Sequence, residues 1–171
     1  MDFGLKGKVA VVTGGTEGIG RATALRLAAE GAKLAICARG QEKLDKTATE
    51  IGKTGAEVLA VAADMSKAAD VERFMKAVVE RFGRIDILVN NAGTSMRGKF
   101  LELQDKAWSD DIELKVFGAI RCTRLAAPHW SDSATSKSTC TPAPCSAVAN
   151  ASSSRPRSSI CSSRCCSGRV A

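Results

Sequence analysis

The chain has 171 residues, 44% of them apolar and 25% charged, and a net charge of +7. That is enough for one well-filled globular domain and short for two, and the basic balance points to an anionic partner without naming one. No apolar run approaches the roughly 18 residues of a membrane span, and the first eight residues lack the apolar stretch of a secretory leader, so the expected location is cytoplasmic with no membrane partner.

Strand and helix patterns alternate along the first 130 residues. Val9–Val12 is a short apolar run that ends at Thr13-Gly14 and reads as a first strand. From Ile19 to Glu30 apolar residues recur at helical spacing (Ile19, Ala22, Leu25, Ala28), and Gly31 stops the helix. Leu34–Ala38 is a second strand, Gln41–Lys53 a charged amphipathic helix closed by Gly55, and Glu57–Ala62 a third strand. Ala68–Phe82 is a third helix closed by Gly83. Ile85–Val89 is a fourth strand running into Asn90-Asn91-Ala92-Gly93. A last helix is expected from about Asp105 to Ala127, stopping at Pro128.

Continuous apolar strands alternating with helices predict an α/β fold, a doubly wound parallel sheet covered on both faces. Ligands of such sheets bind outside the carboxyl ends of the strands. Three signals fall at those ends: Thr13–Gly20, Ala38-Arg39 and Asn90–Gly93.

The first signal has the spacing Gly14-x-x-x-Gly18-x-Gly20 and joins a strand to a helix. Gly14 permits the tight turn off the strand, Gly18 lets backbone approach a pyrophosphate, and Gly20 lets the helix pack close to the sheet. The helix N-terminus offers free N–H donors to phosphate, and Thr16 adds a hydroxyl. The same glycines would also serve a turn with no ligand, but the strand-turn-helix context favours the phosphate cradle.

Thr13–Gly20, Asp64 and Asn90-Asn91-Ala92-Gly93, with the spacing between them, resemble the short-chain dehydrogenase/reductase family over about residues 6–130. The resemblance implies a Rossmann-like nucleotide-binding domain over 1–130. It implies an NAD(P)(H)-dependent oxidoreductase interconverting a carbonyl and an alcohol. Gly14, Thr16, Gly18, Ile19 and Gly20 would then hold the dinucleotide phosphates. Asp64, with Met65 beside it, resembles the acid that hydrogen-bonds the adenine ring; a helix N-cap before Ala68 is the alternative reading of Asp64. Asn91, Ala92 and Gly93 resemble the stretch that lines the ribose and steadies the sheet. Thr94, Ser95 and Met96 would line part of a substrate pocket. The helix at about 105–127 implies a homo-oligomer, because in the family that helix commonly forms subunit contacts.

Cofactor choice turns on the end of the second strand. A ribose 2′-hydroxyl is read by an acid there, a 2′-phosphate by a cation. The strand ends Ala38-Arg39-Gly40 with no acid, so Arg39 favours NADP(H) over NAD(H), whereas Glu17 in the glycine loop argues mildly the other way.

The family's chemistry uses a Ser and a Tyr-x-x-x-Lys pair, the Tyr as general acid or base. This sequence contains no Tyr, so no catalytic residue is identifiable. In the Trp-x6-Asn-x2-Gly spacing of the family, Trp108 and Gly118 match and Lys115 stands where the Asn belongs. Turnover by these 171 residues is therefore expected to be lost, which makes a catalytically inactive nucleotide-binding fragment the alternative function.

After Trp130 the composition changes. Residues 131–171 carry five basic residues, one acid, 13 Ser and five of the seven Cys, with only Val148, Ile160 and Val170 as large aliphatics. Such a segment is expected to be disordered. Its Ser/Cys/Arg/Pro bias resembles GC-rich coding DNA read out of frame, so the sheet is expected to stop truncated after strand four. The order would be 3-2-1-4, with an unpaired edge at Ile85–Val89. Cys140, Cys145, Cys161, Cys165 and Cys166 fit no paired Cys-x2-Cys zinc spacing, and no metal is expected. No aromatic residue interleaves the Ser-Arg run, so no specific nucleic-acid partner is expected.

Overall fold

In the computed structural model, residues 3–94 and 98–130 are described, and they lie within one compact unit, Met1–Thr135. Four parallel strands, β1 (Val9–Thr13), β2 (Lys33–Ala38), β3 (Val58–Ala62) and β4 (Ile87–Val89), form a sheet of order β3-β2-β1-β4. The strands are linked through α1 (Gly18–Ala29), α2 (Gln41–Gly52) and α3 (Ala68–Phe82). This is the doubly wound parallel sheet that the alternating pattern predicts.

The strands lack a polar face because both faces are covered. Ala10 and Val12 of β1 and Leu34 and Ile36 of β2 pack against Ala24 and Ala28 of α1 and Leu44 and Ile51 of α2. Their neighbours Val9, Val11, Ala35 and Cys37 pack on the other face, against Val71, Phe74, Met75 and Val78 of α3 and Cys122 and Ala126 further along the chain. All five residues of β1 are buried, as expected for a central strand. The register Ala10↔Leu34↔Val58 and Ala10↔Ile87 brings the carboxyl ends of the strands to one rim.

Two elements differ from expectation. The last helix is not uniform: α4 (Asp105–Ile112) passes through a π turn at Glu113–Phe117 into α5 (Gly118–Ala126), and a short 3-10 turn takes up Ala127–His129 with Pro128 inside it. A π turn inserts one residue and resets the phase of the helix. That reset lets Gly118 sit under the Met65 carbonyl, which a Cβ there would overlap.

The fourth strand is also shorter than expected, and its start is not an unpaired edge. Ile85 forms a parallel bridge with Trp130, its N–H donating to the His129 carbonyl at 3.0 Å, and the Trp130 indole N–H donates to the Asp86 carbonyl at 3.2 Å. The chain thus reaches back to the flank of β4 before residue 131. The expectations placed on Ser95 and Met96, and those of a disordered, out-of-frame tail without metal over 131–171, lie outside the described residues.

Candidate functional site

The carboxyl ends of β1, β2, β3 and β4 surround an open pocket of about 660 Å³. Its floor is the β1–α1 loop. Gly14 (φ +65°) and Gly18 (φ +54°) both adopt the left-handed region that glycine tolerates. Nothing stands within 4 Å of where a Gly18 Cβ would be, so its backbone faces open space. A Cβ on Gly20 would overlap the Asn91 side-chain amide and the Gly14 carbonyl. Gly20 is therefore glycine because the loop folds back over α1, a tighter constraint than close packing of helix on sheet.

The loop is tied to the end of β4 by a compact hydrogen-bond cluster. Thr13 Oγ1 accepts from the backbone N–H groups of Asn91 and Ala92, each at 3.0 Å, and donates to the Val89 carbonyl at 3.3 Å. The Asn91 side-chain amide donates to the carbonyls of Thr13 at 3.0 Å and Gly14 at 3.1 Å. Asn91, Ala92 and Gly93 thus form one wall of the pocket, and Asn91 and Ala92 hold β4 to β1 at the same time.

Asp64 and Met65 form the wall at the end of β3. Asp64 does not cap α3: Lys67 holds the N-cap position. Asp64 Oδ1 instead accepts from the Ser66 N–H at 3.0 Å and the Ser66 hydroxyl at 2.8 Å. Its own N–H donates to Asp70 Oδ2 at 2.9 Å, and that bond, first among its partners, holds the Asp70 carboxyl below its ordinary pKa. Met65 is 4% exposed, with its sulfur 3.7 Å from Cys122 Sγ. Burial pushes the Cys122 thiol up to about 11 and the Cys37 thiol, which lines the pocket at the end of β2, up to about 12. Both thiols are neutral at ordinary pH and offer no nucleophile.

The rim by β2 is charged. Arg39 lines the pocket, is exposed, and makes no hydrogen bond or ion pair with any described residue. Glu17 pairs with Lys43 of α2, Nζ to Oε1 at 2.6 Å, and both side chains line the pocket. Lys43 was not among the residues singled out from sequence. Its signal was its place in the first turn of the helix that follows Arg39, but the pairing across 26 residues shows only in three dimensions. Leu114, Cys37 and Ala63 are further lining residues found only in the structure.

Of the sequence-derived candidates, Gly14, Thr16, Gly18, Ile19, Arg39, Asp64, Met65, Asn91, Ala92 and Gly93 line this pocket, together with Thr94, and Gly20 underlies it. Lys115 stands apart on the π turn. Its stem approaches Gly93, and its Nζ pairs with Asp111 Oδ2 at 2.8 Å, while the buried Asp111 Oδ1 has no partner among the described residues. Among the described residues no group of His, Cys, Asp and Glu forms a metal site, and no helix is long and apolar enough to cross a membrane.

Fold and site define a doubly wound α/β domain with a glycine cradle at the carboxyl rim of a parallel sheet. The chain belongs to the short chain dehydrogenase family, whose sequence model matches residues 8–138. It is 36% identical over 123 residues to the 3-oxoacyl-acyl-carrier-protein reductase FabG of Staphylococcus epidermidis, covering 71% of this chain and 50% of that protein. The crystal structure of L-sorbose reductase from Gluconobacter frateurii, complexed with NADPH and L-sorbose, superposes with a TM-score of 0.73 at 41% identity, over 75% of this chain and 49% of that one. A short-chain dehydrogenase/reductase from Burkholderia phymatum, in complex with NAD, gives 0.71 at 35% identity over 75% and 46%. The chain spans about half the length of the curated relatives it matches.

Proposed function

We propose that residues 1–130 form a nicotinamide dinucleotide-binding domain, and that the protein is by ancestry an oxidoreductase interconverting a carbonyl and an alcohol. The observation that carries this is the glycine cradle. Gly18 presents bare backbone to a pocket whose size and polarity suit a dinucleotide, and Gly18 and Ile19, at the start of α1 where helical N–H groups have no partner within the helix, both line it. Gly14, Thr16, Gly18 and Ile19 would hold the pyrophosphate, with Gly20 keeping the cradle shut from below. Asp64 and Met65 would face the adenine, and Asn91, Ala92 and Gly93 the ribose. The bound cofactor would supply or accept the hydride.

NADP(H) is the favoured form. Arg39 is a guanidinium with no partner among the described residues at the end of β2, the position that meets the adenosine ribose, and no carboxylate stands beside it on that strand end. The solved relatives carry NADPH in one case and NAD in another, so their likeness supports the cofactor class, and the preference rests on Arg39.

A second reading is favoured by one observation: the 171 residues contain no Tyr, so the Tyr-x-x-x-Lys pair implied by the resemblance is not among them. On that reading this chain binds the dinucleotide without hydride transfer. Lys115, which stands where the family's Asn belongs, is engaged with Asp111. Two further points belong to the proposal. The outer face of the helix over 105–126 exposes Trp108, Ile112, Val116 and Ile120, and an antiparallel second copy would cover it. Cys37 and Cys122 are free thiols, in keeping with a reducing, cytoplasmic location.

Calorimetric titration of the purified chain with NADPH and NADH tests the reading. NADPH should bind at least fivefold more tightly than NADH, and Arg39→Ala should narrow the difference. Absence of binding by either nucleotide would overturn the assignment of the pocket, and equal binding by the unaltered chain would overturn the preference.

A further inference from the structure

We propose that Lys43 is a second cation for the 2′-phosphate, held in reserve by Glu17, so that the Glu17–Lys43 ion pair sets how sharply the pocket separates NADPH from NADH. The inference rests on the reading of the pocket as a nicotinamide dinucleotide site.

Glu17 occupies the N-cap position of α1, yet its carboxylate makes no capping bond. It reaches instead to Lys43 in the first turn of α2, at 2.6 Å, and the pair joins the glycine loop to α2 in the lining of the pocket that Arg39 also lines. The side chains are 69% and 63% exposed, respectively. An ion pair this wet holds its partners weakly and can be exchanged for another at little cost.

A 2′-phosphate brings close to two negative charges to this rim. Alone, the Glu17 carboxylate would repel it. Paired, Glu17 is neutralised and Lys43 is parked within the pocket lining. The phosphate is the stronger anion, so Lys43 transfers to it while Arg39 supplies the planar fork. Glu17, exposed, is then solvated by water. The ribose of NADH offers only a hydroxyl at that place, which cannot compete with a carboxylate for an ammonium, so with NADH Lys43 stays on Glu17. An acid in the glycine loop, which by itself argues against a 2′-phosphate, thus becomes compatible with one because the Lys43 ammonium beside it goes over to the phosphate, and the freed, exposed carboxylate is left to water, its remaining repulsion being what Glu17→Gln removes.

Calorimetric dissociation constants for NADPH and NADH, measured on the unaltered chain and on Glu17→Gln, Lys43→Met and Arg39→Ala, decide the matter. All three positions are exposed, so circular dichroism should show unchanged folding. Lys43→Met should weaken NADPH about tenfold, and Glu17→Gln should tighten it three- to tenfold, each leaving NADH within twofold. If Lys43→Met leaves NADPH within twofold, or weakens both nucleotides alike, the proposal is wrong. Should Arg39→Ala lower NADPH selectivity while both other variants leave it unchanged, the latch fails and the NADP(H) reading survives. Should all three leave selectivity unchanged, or neither nucleotide bind, both fail together.

Discussion

The first hundred residues and the helix that follows them are built to different standards. Every residue of β1 is buried, and the loop after it is fixed by the Thr13–Asn91 cluster. By contrast, α4 and the π turn bury no residue, and their outer face leaves Trp108, Ile112, Val116 and Phe117 between 43% and 48% exposed. The Gly14–Gly20 and Asp64–Met65 side of the pocket is thus self-contained, whereas the Leu114–Lys115 side hangs on a helix that the described residues cover on one face only. On the proposed reading of the pocket, a nucleotide would be gripped by the first region alone, and chemistry at the far end would depend on the second.

The contrast breaks most sharply at Gly20. In an exposed helix, Gly to Ala gains about 1 kcal/mol of helix propensity. At Gly20 the added methyl would overlap a backbone carbonyl and the Asn91 amide, neither of which can yield without opening the loop. Gly20→Ala should therefore destabilise the chain by about 2 kcal/mol net of that gain, and weaken NADPH at least tenfold. Urea unfolding and calorimetry check both numbers. Gly93→Ala is the comparison, since a Cβ there comes no nearer than 3.6 Å to the Lys115 stem and 3.9 Å to the Asn91 carbonyl, both ordinary contacts; a loss as large as at Gly20 would show that the two ends of the pocket are equally tight.

Thr13→Val tests the tie between the loop and β4. Valine keeps the volume, but the N–H groups of Asn91 and Ala92 lose their acceptor where Thr13 is 2% exposed. Buried donors left unpaired cost about 1–3 kcal/mol, so a loss of roughly 2 kcal/mol in urea unfolding is expected, with NADPH binding weakened several-fold. A change below about 0.5 kcal/mol would mean that water or a shifted carbonyl takes over, and that the first region is less rigid than its bonds imply.

The same contrast marks what the sequence could tell. Strands β1 to β3 and helices α1 to α3 were legible because a buried parallel strand writes an unbroken apolar run and an amphipathic helix repeats every three to four residues. Gly83, with φ +74° at the C-cap of α3, ends its helix where the sequence places the stop. The phase reset at Glu113–Phe117 was not legible, because one inserted residue leaves an apolar pattern that still looks helical. Nor was the return of Trp130 to Ile85, or the reach of Lys43 to Glu17, since both are set by packing between distant segments. In the candidate site, backbone requirements were written in glycines and in the Asn91-Ala92-Gly93 run, whereas charge pairing on the rim had no local signature.

The smallest effect on the isolated chain should come from the outer face of the second region. Val116 is 47% exposed on the π turn, between Ile112 and Ile120, so Val116→Glu removes little packing within the chain. Its cost to the monomer should stay within about 0.5 kcal/mol in urea unfolding at low protein concentration. If a second copy covers this face, the same substitution buries a carboxylate against apolar side chains, and sedimentation should show dimer dissociation strengthened at least tenfold. The flanking charges suit an antiparallel partner. Asp105 lies toward one end of the helix and Arg124 toward the other, both exposed and neither in an ion pair with a described residue, so a twofold axis near Val116 would set these unlike charges together. Arg124→Glu should then weaken association with no apolar contact removed, and raising the salt concentration should diminish that effect. A Val116→Glu loss above about 1 kcal/mol in the monomer would instead mean that the face is covered from within the chain, and the two regions would no longer differ in the way proposed.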